Sequence, residues 1–180
     1  HGLMIDALAE AGYFEEAERA AQGWIALSGD LPHQVVKGVP SGSAFLDDYA
    51  SFIDGLITLH ELTGNADYLA VSDRLSDEMI DLVGDPRGGC TFTGRNHETL
   101  IGVQKPCLDN ATPSPNGVAC RVLRRLGRHQ EALIHLSSSL GWAQRFPTGA
   151  ATLLSEALEH LLEARQASIA TTESPQVALS

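Results

Sequence analysis

Apolar positions recur along this chain with a helical period, and glycines punctuate it. Leu3, Met4, Ala7, Leu8 and Ala11 fall on one helix face, and Gly12 stops that run. Phe14, Ala17, Ala21, Trp24 and Ile25 mark a second helix ending near Ser28-Gly29. Residues 30–43 hold Pro32, Pro40 and Ser41-Gly42-Ser43, which predicts a loop with room for a short strand at 34–36. Leu46, Tyr49, Ala50, Ile53, Leu56, Ile57 and His60 trace the clearest stripe. Ser41 or Ser43 is its expected N-cap, and Asp47 and Asp48 suit the positive end of the helix dipole. Gly64-Asn65 ends that helix. A fourth, over 66–83, turns Leu69, Ser72, Leu75, Met79, Ile80 and Val83 inward.

Cys90-Thr91-Phe92-Thr93 and Leu100-Ile101-Gly102-Val103 alternate in character and predict a small hairpin. A proline-rich loop runs on to Pro115. A fifth helix starts near Asn116, its expected N-cap, with Val118, Val122 and Leu126 on one side, and breaks at Gly127. A sixth covers 129–140. A last helix, 148–167, is expected to bury Leu154, Ala157, Leu158, Leu161 and Leu162. The small, polar residues 168–180 read as a frayed, disordered tail.

Helix, glycine turn, helix thus recurs at Gly12, Gly64 and Gly127, and two of the turns lead into similar entries, Gly-Tyr-Phe-Glu-Glu-Ala and Gly-Arg-His-Gln-Glu-Ala. The glycines are 64 − 12 = 52 and 127 − 64 = 63 residues apart. That spacing excludes a strict tetratricopeptide array of about 34 residues per repeat. Short turns within hairpins and long loops between them suggest an α/α toroid, whose long loops gather at one mouth and carry function.

Composition narrows the partners. Twelve basic against 23 acidic side chains give a net charge of −11, which argues against nucleic acid and anionic membranes. Three cysteines without a Cys-x-x-Cys suit reduced thiols in the cytoplasm. No apolar run approaches the roughly 20 residues of a membrane span, and no signal peptide is visible. The chain starts at His1 inside a helical pattern and reads as an internal piece of a longer protein.

Several segments together resemble one family. His1-Gly2-Leu3-Met4-Ile5-Asp6-Ala7-Leu8-Ala9 is similar to Asn-Gly-Leu-Met-x-x-Ala-Leu-Ala, and Phe45-Leu46-Asp47-Asp48-Tyr49-Ala50 to Phe-Leu-Glu-Asp-Tyr-Ala. Gly88-Gly89-Cys90-Thr91-Phe92-Thr93 resembles Gly-Gly-Phe-Phe-Phe-Thr, and residues 105–116 resemble Lys-x-x-x-Asp-x-Ala-x-Pro-Ser-Gly-Asn. These are motifs of the thioredoxin-domain-containing proteins of the spermatogenesis-associated type. The resemblance implies an N-terminal thioredoxin-like domain in the parent chain, followed by an (α/α)6 toroid similar to N-acylglucosamine 2-epimerases and six-hairpin glycosidases. The fold class expected is therefore all-α: a partial (α/α)6 toroid over 1–167 with a small β-hairpin. Half a ring would expose apolar helix faces, so self-association is expected. Pro115 stands where the family has Gly, Gly117 where it has Ser, and Val103-Gln104 where it has Arg-Pro. A proline cannot take a positive φ, so the loop before the fifth helix is expected to be rebuilt.

Two function classes follow: a carbohydrate-binding or carbohydrate-modifying domain, or a non-catalytic scaffold for a partner protein. For the first, Asp48 and Asp109 are the candidate acid/base carboxylates of a glycosidase-like pair. His97, in the long loop after the Gly-Gly turn, is the best placed of seven histidines, since epimerases of this fold class use histidine as acid and base. Tyr49, Lys105 and Asn116 complete the set as substrate-binding candidates, although Tyr49 and Trp24 also suit a core. The expected ligand is a small sugar-like molecule, with no metal and no cofactor. His129 and His135 lack an i, i+4 partner for zinc, and Ser114 has no nucleophile elbow.

Overall fold

A computed structural model describes residues 1–27, 30–98 and 102–173, with side chains as far as Ile169. Among the described residues, seven helices and one two-stranded hairpin form. They are α1 (Gly2–Glu10), α2 (Phe14–Ile25), β1 (Pro32–Val36), β2 (Val39–Ser43), α3 (Leu46–Thr63), α4 (Ala66–Val83), α5 (Pro115–Arg125), α6 (His129–Arg145) and α7 (Ala151–Glu173). Gly12, Gly64 and Gly127 have φ of +83°, +73° and +76°, so each tight turn uses a conformation that side chains disfavour.

The odd-numbered helices form a row. α1 packs on α3, α3 on α5 and α5 on α7, while α2, α4 and α6 return along α1, α3 and α5. Side-chain contacts give the direction. Asp6 of α1 meets Thr58, Asp54 of α3 meets Arg121, and Arg121 and Arg124 of α5 meet Glu156 and Glu163. Partner numbers rise together from helix to helix, so the four helices run parallel and begin at one end of the molecule. At that end α1 comes so close to α3 that a Cβ on Gly2 would strike the Ser51 backbone.

α3 is the centre of the row. Its apolar positions are spaced for one stripe, yet every residue from Phe52 to Leu59 is buried. Neighbours on several sides (α1, α2, α4 and α5) account for that. The main core joins α1 to α5. A smaller cluster of Cys107, Cys120, Leu136, Ala143, Ala150 and Leu153 joins α5, α6 and α7.

Several local expectations are corrected. The hairpin lies at 32–43, where Val36 pairs with Val39 across Lys37-Gly38, both at positive φ. Cys90-Thr91-Phe92-Thr93 forms no strand, only an isolated bridge from Cys90 to Gly84. The backbone donors of Cys90, Thr91 and Phe92 go to Asn116, Val83 and Gln104, three separate partners instead of one ladder. Leu100 and Ile101, in the other predicted strand, lie outside the described residues. The N-cap of α3 is Phe45, not a serine, with the Asp48 carboxylate accepting from its amide. Ser114 caps α5 by accepting from Gly117, and Pro115 sits at the first helical position, where no N–H is needed. α6 continues past 140 to Arg145, and α7 runs past Ser168 to Glu173; the remaining tail, 174–180, is outside the described residues.

α7 departs furthest from expectation. Leu153 and Glu156 are its buried face, whereas Leu158 and Leu161 are 55% and 68% exposed, and Leu154 and Leu162 are exposed too. Its leucine stripe has no covering helix among the described residues.

Candidate functional site

A cleft of about 200 Å³ opens where α1 and α3 begin. Trp24 of α2, Phe52 of α3, and Leu31 and Pro32 leading into β1 supply its apolar walls. The Trp24 and Phe52 rings lie 6.2 Å apart, and His1 packs 4.9 Å from Trp24. Asp47, Asp48 and Ser51 of α3, with His33 of β1, supply the polar groups. No Lys or Arg is among the residues that line it.

The two aspartates differ in their duties. Asp48 Oδ2 accepts from the Phe45 amide at 2.9 Å and from His33 Nδ1 at 2.7 Å, so it caps α3 and clasps the hairpin to it. Asp47 Oδ1 accepts the amide of Asp48 at 3.1 Å; its own amide and the nearby His33 also favour its charged form, and among the described residues it makes no close ion pair. Burial, then the adjacent Asp48 charge, push the Asp47 carboxyl above its ordinary value.

Of the six residues singled out by sequence, only Asp48 lines the cleft. Asp109 is tied to backbone: Oδ1 accepts from Ser114 N at 2.7 Å and Oδ2 from Thr152 N at 3.0 Å, which staples the loop before α5 to the first turn of α7. Burial raises its pKa, but the hydrogen bonds from Thr152, Ser114 and Ala151 outweigh that and leave it below the ordinary value. His97 Nδ1 accepts from Gly94 N at 3.1 Å, so its proton sits on Nε2, which donates to Ser43 O at 3.2 Å. Its ring covers Phe45, which stacks on Phe92.

Asn116 is buried. Its Oδ1 accepts from Cys90 N at 2.6 Å and its Nδ2 donates to Cys90 O and Pro106 O. Lys105 donates to Gly88 O at 2.8 Å and pairs with Asp85 at 3.0 Å. The Tyr49 hydroxyl donates to Glu78, and burial and then Glu78 push its pKa up. The loops around 41–48, 88–97 and 105–117 thus converge at the N-terminal end of the row, as a packed polar plug beside the cleft.

Trp24, His33, Ser51, Phe52 and Asp47 are among the cleft residues that the sequence did not mark as a site. Trp24 and Phe52 carry ordinary core signals, and only the fold brings them beside Asp47.

A second polar assembly runs along the row. Arg125 pairs with Asp54 at 2.5 Å and Glu61 at 2.8 Å. Arg121 bridges Asp54 at 3.1 Å and Glu156 at 2.9 Å, and Arg124 bridges Glu156 and Glu163. Burial alone would depress the guanidinium of Arg121, but Glu156 and Asp54 raise it above its usual value. The belt ties α3, α5 and α7 together. The signal for it is the arginine triplet at 121, 124 and 125 facing acids at helical spacing on both sides.

The three thiols are buried. Cys90 sits 3.7 Å from His135 Nδ1, and burial pushes its pKa to about 12. Among the described residues no group of three or more His, Cys, Asp or Glu side chains is arranged to hold a metal ion, and no helix is long and apolar enough to cross a membrane.

Fold and site define a mostly helical protein of antiparallel hairpins with one polar, aromatic-walled cleft at the loop-rich end. No protein-family model matches the sequence. A stretch of 87 residues, 46% of the chain, is 37% identical to spermatogenesis-associated protein 20 of Mus musculus. That stretch covers 11% of the mouse protein, so the chain matches only a small part of its relative. The match supports the family resemblance read from the motifs.

Proposed function

We propose that this chain is part of an α/α toroid in a thioredoxin-domain-containing parent protein, and that its cleft binds a small sugar-like ligand. The observation that carries the ligand reading is the cleft itself: two aromatic side chains beside carboxylate, imidazole and hydroxyl groups, at the end of the row where the long loops gather. Sugars present apolar ring faces and vicinal hydroxyls, which suit such a surface. The parallel row with return helices supports the toroid. Asp48 belongs to this binding surface, and the role assigned to it is to hold the wall. Binding is favoured over acid/base turnover because both oxygens of Asp109 and both ring nitrogens of His97 are engaged internally.

The test is titration of the chain in a Trp142→Phe background with neutral mono- and disaccharides, following Trp24 fluorescence. Saturable quenching, weakened by Phe52→Ala with Trp24 kept in place, is the expected result. A flat response to every saccharide would remove the ligand reading. A scaffold role for a partner protein is then the better account, and one observation already favours it as the second reading: the exposed leucine stripe of α7.

A further inference from the structure

The cleft combines flat apolar walls with two carboxylates that, among its lining residues, no Lys or Arg offsets and only His33 faces. Trp24 and Phe52 give it the walls. Its polar rim holds two carboxylates, and none of its lining residues is a Lys or Arg. The neighbouring hollow under Leu31 and Pro32 adds Asp30, and its one cation, Arg74, is committed to Glu78 at 3.3 Å. The N-termini of α1 and α3 also face this end. The α3 terminus is already met by Asp48, which is spent on the Phe45 amide and His33. Asp47 accepts the next amide, and among the described residues no Lys or Arg pairs with it; the imidazole of His33 is the nearby group that offsets its charge.

We infer that the cleft selects a ligand carrying a protonated amine beside a flat apolar ring face, with the ammonium on the Asp47 carboxylate and the ring on Trp24. A desolvated carboxylate gains most from a cation that both pairs with it and donates hydrogen bonds. An aromatic wall adds attraction to the same charge. The net charge of −11 draws cations toward the molecule and repels acidic sugars or phosphates. Two sources offer this chemistry, an amino sugar and an aromatic amine. The amino-sugar case rests on the sugar reading above, whereas the aromatic amine does not.

The experiment measures binding of five probes to the chain by calorimetry: D-glucosamine, D-glucose, D-glucuronate, 2-phenylethylamine and 2-phenylethanol. Each amine is expected to bind at least about tenfold tighter than its neutral counterpart, as one ion pair at a partly buried site allows, with glucuronate weakest. Asp47→Asn is expected to erase the preference. Because that residue sits in the first turn of α3, raised salt on the unmutated chain gives an independent readout, weakening the amines and not the neutral probes. Glucose binding as tightly as glucosamine, or an amine preference that survives both Asp47→Asn and salt, would overturn the inference and leave the sugar cleft standing. Binding of 2-phenylethylamine alone, sensitive to Asp47→Asn, would support it and remove the sugar reading. Binding by neither amine overturns it whatever glucose does.

Discussion

α3 and α7 carry the same kind of sequence, leucines and alanines at helical spacing, and end in opposite surroundings. α3 is enclosed on all sides from Phe52 to Leu59, and even Asp54 and Thr58 are drawn inside. Among the described residues α7 buries one side, at Leu153 and the carboxylate of Glu156, and leaves four leucines in the open. A helix's own period tells which residues share a face. The number of neighbours decides how many faces are covered. α3 is therefore held by apolar burial, and α7 by a small apolar cluster plus the arginine belt.

The comparison can be broken most forcefully at the belt. Glu156→Ala leaves Arg121 and Arg124 without their shared partner, and denaturant unfolding is expected to show a loss of about 3–5 kcal/mol. A loss below ~1 kcal/mol would mean that water replaces the carboxylate and that the belt does not hold α7. Next is a matched pair of leucines. Leu56→Ala in α3 is expected to cost about 2–5 kcal/mol, and Leu161→Ala in α7 less than ~0.5 kcal/mol. Equal losses would show that something covers α7 in solution, and a protein-concentration dependence of the Leu161→Ala loss would identify it as a second copy.

An effect smaller than those at Glu156 and Leu56 is expected at the staple. Asp109→Asn is expected to cost about 1 kcal/mol at neutral pH. Its sign with pH follows from its depressed pKa. The unfolded carboxyl takes up its proton near 3.8 and the folded one only at lower pH, so its contribution is complete above 3.8 and drains as pH falls through the folded value. His135 acts in a higher window. Burial lowers its pKa from 6.5, so the unfolded chain takes the proton first and stability declines as pH drops below 6.5. A Tm profile of Asp109→Asn should keep the histidine limb and lose part of the acid limb. An unchanged acid limb would remove Asp109 from the account.

How far the sequence reached is clearest at the same places. The three glycine turns and the helices between them were readable because period and positive-φ punctuation are local properties. That long loops gather at one mouth was an expectation of the ring architecture alone; the contacts that join them here, through His97, Lys105 and Asn116, have no signal in spacing. The hairpin was misplaced because alternation in Cys90-Thr91-Phe92-Thr93 looks like a strand, while the real signal, Lys37-Gly38, lacks the usual Asn-Gly or Asp-Gly of such turns. Asp47 and Asp48 are adjacent and chemically identical. Both line the cleft, and which of them also caps the helix depends on the geometry of Phe45 and His33, which no spacing rule contains. Asn116 looked like a cap because it sits where α5 begins. Proline at the first helical position moved the cap to Ser114 and freed Asn116 to tie Cys90 to Pro106.

The buried cysteines carry one more consequence. Cys90 belongs to the large cluster around α3, and Cys107 and Cys120 to the small one between α5, α6 and α7. Cys90 and Cys120 have no exposed surface, so a thiol-reactive reagent reaches each only when its own cluster opens, and the chain has a native reporter on each side of the divide. Labelling rates resolved by peptide would time the breathing of the two halves separately, and would tell whether they open as one cooperative unit or the α7 side loosens first.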